Sequence, residues 1–402
     1  MSPSFSPALA PPPGEPRFPL FDGLRAIAIL LVLATHAAGA TGAIAFATWG
    51  PLGVQARDGV ALFFAISGFL LYRPFVARRV AGRPAPSAGR YLWRRALRIL
   101  PAYWVALTLL AIWPGLDGPF GDKWWVYYGF GQVYDPATAA KGITVAWSLC
   151  VEVTFYLLLP LYAAAVGWAA ARTRRLTWVQ TELAALALVG VIGLAFRALI
   201  KASVLPGEAS STLPALALWF VAGMALAVFS VERATTERRR PALEALAAHP
   251  IASWSLAAAA FVTTAFTFDI RPRPNYATSL SWGTVIVGHL LTTTAIFLFA
   301  LPAVLGDPLK GWPRRVLAWR PIALLGLISY GVFLYHVPLL LQFTQWFGGQ
   351  AYITAAAALA AVTLVAAGVA ATLSYRLVEL PFLRRKEVSL SWPRSRTPTT
   401  ET

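Results

Sequence analysis

Charged residues are scarce in this chain of 402 residues. Only 13% of the residues are charged, whereas a soluble domain has about 25%. Acidic residues are the scarcest, with 17 Asp and Glu against 34 Lys and Arg, and 58% of the chain is hydrophobic. This composition excludes an ordinary soluble domain. It is typical of a polytopic membrane protein, and the length allows about ten helices of some 20 residues.

Cysteine is nearly absent, because Cys150 is the only one in the chain. A single thiol excludes an intramolecular disulfide and a thiolate metal cluster. No basic neighbour in sequence would activate the thiol, so Cys150 is a poor candidate nucleophile. We expect neither a metal site nor a bound cofactor.

The net charge is +17, which would suggest a nucleic-acid partner in a soluble protein. Here the basic residues lie between hydrophobic runs, and the positive-inside rule explains most of them. We therefore expect the lipid bilayer as a partner and no nucleic acid.

Apolar runs recur along the chain and predict an all-α, polytopic integral membrane protein with about ten transmembrane helices in one bundle. We expect this domain at residues 21–383, between a disordered cytoplasmic tail at 1–20 and a basic, disordered cytoplasmic tail at 384–402. The third run is the shortest. The ten runs lie at 24–45, 59–76, 98–113, 144–167, 180–200, 213–230, 251–268, 281–303, 322–346 and 352–378.

Lys and Arg are distributed unevenly between the two sets of connecting loops. One set, together with the C-terminal tail, holds 23 of them, and the opposite set holds 6. Cytoplasmic loops carry the excess of basic residues. The sequence therefore predicts a multi-pass plasma-membrane protein with both termini in the cytoplasm.

The first apolar run carries Arg25 and His36 on one face. They are eleven residues apart, which is three helical turns plus roughly 20°, or about 16 Å along the axis. Asp22 is a good N-cap for this helix. A titratable residue near mid-span is a functional candidate, and the alternative is a histidine that is hydrogen-bonded between helices.

Basic and acidic pairs mark two other places at the predicted cytoplasmic surface. Arg95 and Arg98 share a helix face at i, i+3, and such a fork suits phosphates. The alternative is that these arginines only set the topology. Arg376 and Glu379 have the same spacing and could pair with each other.

Polar residues also lie within four of the runs. Ser67 stands beside a glycine, where close helix packing is the alternative role. Glu152 is a carboxylate inside the membrane, which needs a partner or a proton. Counted from the predicted outer ends, His36, Ser67, Glu152 and His336 lie at depths of about 12–15 Å. We therefore expect these four residues to share one polar pocket.

Six short motifs follow one another along residues 21–381. They are F-D-G-L-R-A with R-x10-H, F-F-x-I-S-G-F-L, R-x-x-R-I-x-P-x-Y-W, W-S-L-x-x-E, S-Y-G-x-x-L-x-H-x-P and Y-x-x-x-E-x-P. Each motif alone is a weak signal. In this order, and on ten predicted spans, they make the chain resemble the acyltransferase family 3 membrane proteins.

The resemblance implies transfer of an acyl group, usually acetyl, from acyl-coenzyme A to a hydroxyl group. Acceptors in this family include cell-surface polysaccharides, glycolipids and macrolides. Acyl-coenzyme A would be the donor substrate rather than a bound cofactor.

The resemblance also implies roles for residues of the matched motifs. His36 would act as general base or carry the acyl group briefly, and Glu152 or His336 would orient it. The expected contacts to acyl-coenzyme A are Arg25, Arg95 and Arg98. The expected further pocket residues are Ser67, Trp147 and Tyr330.

Two non-enzymatic functions remain as alternatives to an acyltransferase. A transporter or lipid flippase explains the spans and the embedded charges equally well, but it does not explain a basic fork beside a helix that carries an imidazole. A structural subunit of an envelope complex predicts that His36 can be replaced without loss of function.

Overall fold

The structure is a computed structural model, and it describes residue 18 and residues 20–173, 175–237, 240–268, 281–306, 310–346 and 355–385. The two predicted tails lie almost entirely outside the described residues. Several of the loop arginines that were counted for the orientation also lie outside them.

Ten helices of at least 16 residues dominate the described part of the chain, and we label them α1 to α10. They are α1 (Phe21–Ala40), α2 (Gly59–Val80), α3 (Ala88–Ile112), α4 (Trp147–Arg172), α5 (Trp178–Lys201), α6 (Leu213–Thr235), α7 (Pro250–Phe268), α8 (His289–Val304), α9 (Ser329–Trp346) and α10 (Ala356–Ser374). Strands do not occur among the described residues.

Short helical segments connect and extend these helices. The α-helical ones are Ala43–Phe46, Gly50–Gln55, Trp124–Tyr128, Pro241–Ala248, Trp312–Ala318, Arg320–Leu327 and Leu380–Arg384. The 3-10 segments are Ala56–Asp58, Gln132–Tyr134, Thr144–Ala146 and Gly207–Ser211, and the π-helical segments are Thr284–Gly288 and Tyr375–Glu379.

Within the described residues, nine helical stretches are long and apolar enough to cross a membrane. Arg320–Leu327 and α9 together are long and apolar enough to count as a tenth candidate span, with a bend of 73° between them. The chain is thus an all-α, polytopic membrane protein, and the predicted fold is confirmed.

The third span differs most from its prediction, because α3 begins at Ala88 rather than near residue 98. Arginine, leucine and alanine are strong helix formers, so the helix continues beyond the apolar run. As a result, Arg95 and Arg98 lie on a helix and are held in a fixed relation to the bundle.

The ninth span is bent, whereas the sequence predicted one helix over 322–346. A straight helix of that length would extend about 37 Å, which exceeds the hydrocarbon thickness of about 30 Å. The first part, Arg320–Leu327, instead packs against α1. Only α9 continues across the bundle.

The start of α1 also differs from the prediction. Leu20 occupies the N-cap position, and Asp22 lies in the first turn, where it forms an ion pair of 2.7 Å with Arg25. The i, i+3 spacing within a helix brings these two side chains together. Asp22 therefore orients Arg25 instead of capping the helix.

Helices α2 and α6 cross in close contact at the centre of the bundle. A Cβ atom on Gly223 would lie only 1.8 Å from the carbonyl oxygen of Ala65, so this approach requires glycine. Small residues allow such crossings between membrane helices. The crossing holds α2 in place, and with it the side chains that face the site described next.

Candidate functional site

A cavity of about 100 Å³ lies between α1, α2, α3, α4 and α9. Three arginines line it, so we call it the basic cavity, and the end of the bundle where they lie is the basic end. Its polar lining consists of Arg25, Ser67, Arg95, Arg98, Ser148, Glu152, Tyr156, Ser329 and Tyr330. The sequence singled out nine candidate site residues, and six of them line this cavity. These six are Arg25, Ser67, Arg95, Arg98, Glu152 and Tyr330. The remaining three, His36, Trp147 and His336, do not line it.

Carboxylates accompany the arginines of the basic cavity. Asp22 is paired with Arg25, as described above, and Arg98 interacts electrostatically with Glu379. Glu379 is buried, and one of its oxygens has no hydrogen-bond partner among the described residues. The cavity is therefore rich in cationic donors, but the charge of the arginines is partly balanced.

Glu379 does not pair with Arg376, although their spacing allowed that prediction. The segment Tyr375–Glu379 is π-helical, and this wider turn exposes Arg376 and buries Glu379. A π-helical turn shifts the register by one residue, so two residues at i, i+3 no longer share a face.

Glu152 has its partners inside the basic cavity. The hydroxyl of Ser67 donates a hydrogen bond to the Glu152 carboxylate, and Tyr156 also hydrogen-bonds to it. These contacts satisfy a carboxylate that would otherwise be costly within the membrane. Tyr330 is fixed separately, because its hydroxyl donates to the carbonyl of Ile99 at 2.9 Å.

The two histidines form a pair next to the basic cavity. His36 Nδ1 lies 3.4 Å from His336 Nε2, and the ring centroids are 5.1 Å apart. His336 is fully buried, whereas His36 is partly exposed. The structure thus brings together two residues that are 300 positions apart in sequence.

The hydrogen bonds of this pair assign the tautomers of the two rings. His36 Nδ1 lies 2.7 Å from the Val32 carbonyl, and His336 Nδ1 lies 2.8 Å from the Phe333 carbonyl. A carbonyl can only accept, so each Nδ1 carries the proton. The single Nδ1–H of His36 donates to the Val32 carbonyl and shares only a longer, weaker contact of 3.4 Å with the lone pair of His336 Nε2, and His36 Nε2 keeps its own lone pair. That nitrogen can act as a base or as a nucleophile.

The expected single polar pocket is divided in two. Ser67 and Glu152 line the basic cavity, while His36 and His336 lie beyond its apolar boundary. The reason is that depth along a helix axis does not determine which side chains fill the space between helices. Here the ring of Phe333 lies between the cavity and His336.

Trp147 is the remaining predicted pocket residue. It begins α4 and packs, partly buried, against the hydrophobic core. It supports the helix that carries Ser148 and Glu152, and it does not face the basic cavity itself.

Sequence reasoning missed five residues of this region. Asp22 was interpreted as a cap, and Glu379 as a partner of Arg376. Tyr156 and Phe333 carried no signal, and Phe63 was given no role although it begins the motif F-F-x-I-S-G-F-L, because aromatic residues in apolar runs are ordinary core or lipid-facing residues. Only the i, i+4 spacing of Glu152 and Tyr156 could have indicated their contact.

We found no group of three or more His, Cys, Asp or Glu side chains within the described ranges that could hold a metal ion. The polar groups of the basic cavity are mainly donors, namely guanidinium and hydroxyl groups. Such donors suit phosphate and carbonyl oxygens.

Comparisons with known proteins identify relatives of this chain. The chain is 23% identical over 390 residues to "Peptidoglycan O-acetyltransferase OatA" of Listeria monocytogenes, a match that covers 90% of this chain and 55% of that protein. It is 24% identical over 385 residues to YrhL of Bacillus subtilis, which is named provisionally as a peptidoglycan O-acetyltransferase; 90% of this chain and 54% of YrhL are covered.

A shorter match links the chain to nodulation protein 10 of Rhizobium leguminosarum bv. viciae. It is 29% identical over 168 residues and covers 35% of this chain and 43% of that protein. The chain spans about half the length of the first two relatives. No solved structure matches it significantly. A family model described as an acyltransferase domain matches residues 19–373, nearly the whole chain. The chain therefore belongs to this acyltransferase family, as its motifs predicted.

Proposed function

We propose that this protein is a membrane O-acetyltransferase that moves an acetyl group from acetyl-coenzyme A to a hydroxyl of a cell-wall glycan. The observation that carries the proposal is that the basic cavity and the histidine pair lie close together. Three arginines line a cavity, and the ring of Phe333 at its boundary contacts His336, which in turn contacts His36. The names of two relatives, which refer to peptidoglycan O-acetylation, support the class of acceptor.

The donor site is supported by the charge and the size of the basic cavity. The cavity volume of about 100 Å³ is sufficient for an acetyl thioester. The arginines would hold the phosphates of the nucleotide at the basic end. Arg90 and Arg94 are exposed there, and they continue the row of Arg98 along α3 at spacings of four residues. Four residues are about 6 Å along a helix, so this row offers successive contacts to phosphates.

The reaction follows from the tautomer of His36. Nε2 takes the proton of the acceptor hydroxyl, and the oxygen attacks the carbonyl carbon of the thioester. The C–O bond forms, the C–S bond breaks, and the thiolate of coenzyme A leaves and receives the proton from Nε2. While His36 is protonated, His336 Nε2 and the Val32 carbonyl accept from its Nδ1–H and stabilise the cation.

The charge distribution supports an orientation with the basic end in the cytoplasm of a plasma-membrane protein. Acetyl-coenzyme A would then bind from the cytoplasm. The glycan would approach His36 from the opposite end of the bundle. We propose this orientation together with cytoplasmic termini.

The test uses purified protein in liposomes, with acetyl-coenzyme A and soluble peptidoglycan fragments as substrates. Release of the coenzyme A thiol and mass spectrometry of the glycan together measure transfer. We expect equal amounts of thiol and acetylated glycan, and a loss of both with His36→Ala. Wild-type protein that is folded but consumes no thioester would favour the transporter reading instead.

A further inference from the structure

Two phenylalanines lie between the basic cavity and the histidine pair. Phe63 on α2 and Phe333 on α9 both line the cavity. Their rings meet edge to face, with centroids 6.4 Å apart. Phe333 also contacts the other side, because its ring lies 5.8 Å from that of His336.

The spacing along α9 shows how this boundary arises. Tyr330 and Phe333 both line the cavity, and Phe333 is the residue furthest along α9 that does so. His336 follows three residues later, on the same face and about 4.5 Å further along the axis. The face that begins in the cavity thus continues to the histidines, and the ring of Phe333 interrupts it.

The spacing along α2 is similar. Ser67 and Phe63 are four residues apart, so Phe63 lies one turn beyond the Ser67–Glu152 contact. The two rings therefore approach each other from opposite helices. An acyl group held beside the arginines would meet this ring pair before it could meet His36.

We propose that Phe63 and Phe333 form an aromatic wall that keeps a thioester in the basic cavity apart from His36 and from the water and acceptor beside it, and that the two rings part only for transfer. This proposal rests on the proposed function. It adds two residues that determine the preference for a glycan hydroxyl over water. The wall makes the thioester react with a glycan hydroxyl rather than with water.

The competing reaction defines what the wall prevents. Water that reached the thioester beside His36 would attack its carbonyl carbon and give up a proton to Nε2. The C–S bond would break, and acetate and the thiol of coenzyme A would form. A hydroxyl nucleophile and water are chemically similar, so the reaction path cannot favour the glycan without exclusion of water.

The experiment replaces each ring by leucine, which keeps most of the apolar volume. Phe333→Leu and Phe63→Leu are purified in liposomes with acetyl-coenzyme A, with and without peptidoglycan fragments. Acetate, coenzyme A thiol and acetylated glycan are all measured. The ratio of acetate to acetylated glycan is the readout, because a general loss of stability or of donor binding lowers both products together.

The matched control is Phe64→Leu. Phe64 lines the same cavity, but its ring stacks on Phe220 at 4.6 Å and is not part of the Phe63–Phe333 contact. We expect the acetate ratio to rise severalfold in both wall variants and to stay at the wild-type value in this control. Phe63→Trp, which adds bulk, should lower transfer without raising hydrolysis.

A wild-type acetate ratio in both wall variants, with transfer intact, would refute the wall. An equal rise in the Phe64→Leu control would also refute it, because any loosening of the cavity would then suffice. Failure of the proposed function looks different, since the wild-type protein itself would then release no thiol.

Discussion

His336 provides the sharpest test of the geometry around His36. Its Nε2 is the side-chain atom that accepts from His36 Nδ1–H. His336→Leu removes this acceptor and places an apolar side chain of similar size in the same buried position. His336→Gln retains an acceptor oxygen and should restore part of the effect.

The magnitude follows from what the contact does during the reaction. At 3.4 Å it is weak in the resting state. Once His36 has taken the proton, the contact becomes a charge-assisted hydrogen bond, which contributes about 1.5–3 kcal/mol. A loss of that size lowers kcat by roughly 10- to 150-fold. The Val32 carbonyl still accepts at 2.7 Å, so the lower end of this range is expected.

The assay compares kcat and KM in the liposome reaction. Because His336 does not line the basic cavity, KM for acetyl-coenzyme A should stay near its wild-type value. His36→Ala should be more severe, since loss of a general base typically costs about 10²–10⁴-fold. The matched control is His289→Leu, another buried histidine, whose ring packs on Trp219 at 5.0 Å. That variant should keep its kcat.

A wild-type kcat in His336→Leu would show that the pair has no role in the reaction. Equal losses in the leucine and glutamine variants would show that volume, rather than the acceptor atom, is what matters. A raised KM with unchanged kcat would place His336 in donor binding and contradict the separation of the histidine pair from the basic cavity.

Three further predictions concern other parts of the molecule. Arg98→Gln should weaken acetyl-coenzyme A binding by about 1.5–3 kcal/mol. An unchanged dissociation constant would show that this arginine only sets the membrane topology. Reporter fusions at 130 and 275 should lie outside the cell and those at 85 and 240 inside, and reversal of either pair contradicts the orientation. Gly331→Ala should lower the thermal unfolding midpoint in detergent, because the new Cβ would lie 2.7 Å from that of Ala371; an unchanged midpoint would show that α9 and α10 separate easily.

The membrane spans could be predicted from sequence because their signal is local. Each apolar run indicates its own helix without knowledge of the packing. The orientation predicted from the excess of basic residues in one set of loops stays a prediction. The fork of Arg95 and Arg98 was visible for the same reason, since two residues at i, i+3 share a face in any straight helix.

The contacts between helices could not be predicted, because they depend on how the helices rotate and cross. Ser67 and Glu152 are 85 positions apart. Nothing in the two runs indicates that Ser67 meets Glu152 while His36 meets His336. The π-helical turn that buries Glu379 is equally hidden, since its extra residue has no signature in the sequence.

The aromatic wall must open by rotation of a side chain rather than by movement of α9. Tyr330 ties α9 to α3 through the Ile99 carbonyl at 2.9 Å, and Gly331 packs directly on Ala371 of α10. Interiors packed this closely resist sliding.

The ring of Phe333, in contrast, lies between the basic cavity and the ring of His336, and rotation about its own side-chain torsions leaves the backbone in place. Its carbonyl accepts from His336 Nδ1 at 2.8 Å, and that contact survives such a rotation. The wall can therefore part while the two histidines keep the tautomers that the reaction needs. One turn of α9 can therefore carry both a ring that rotates and the fixed histidine that orients His36.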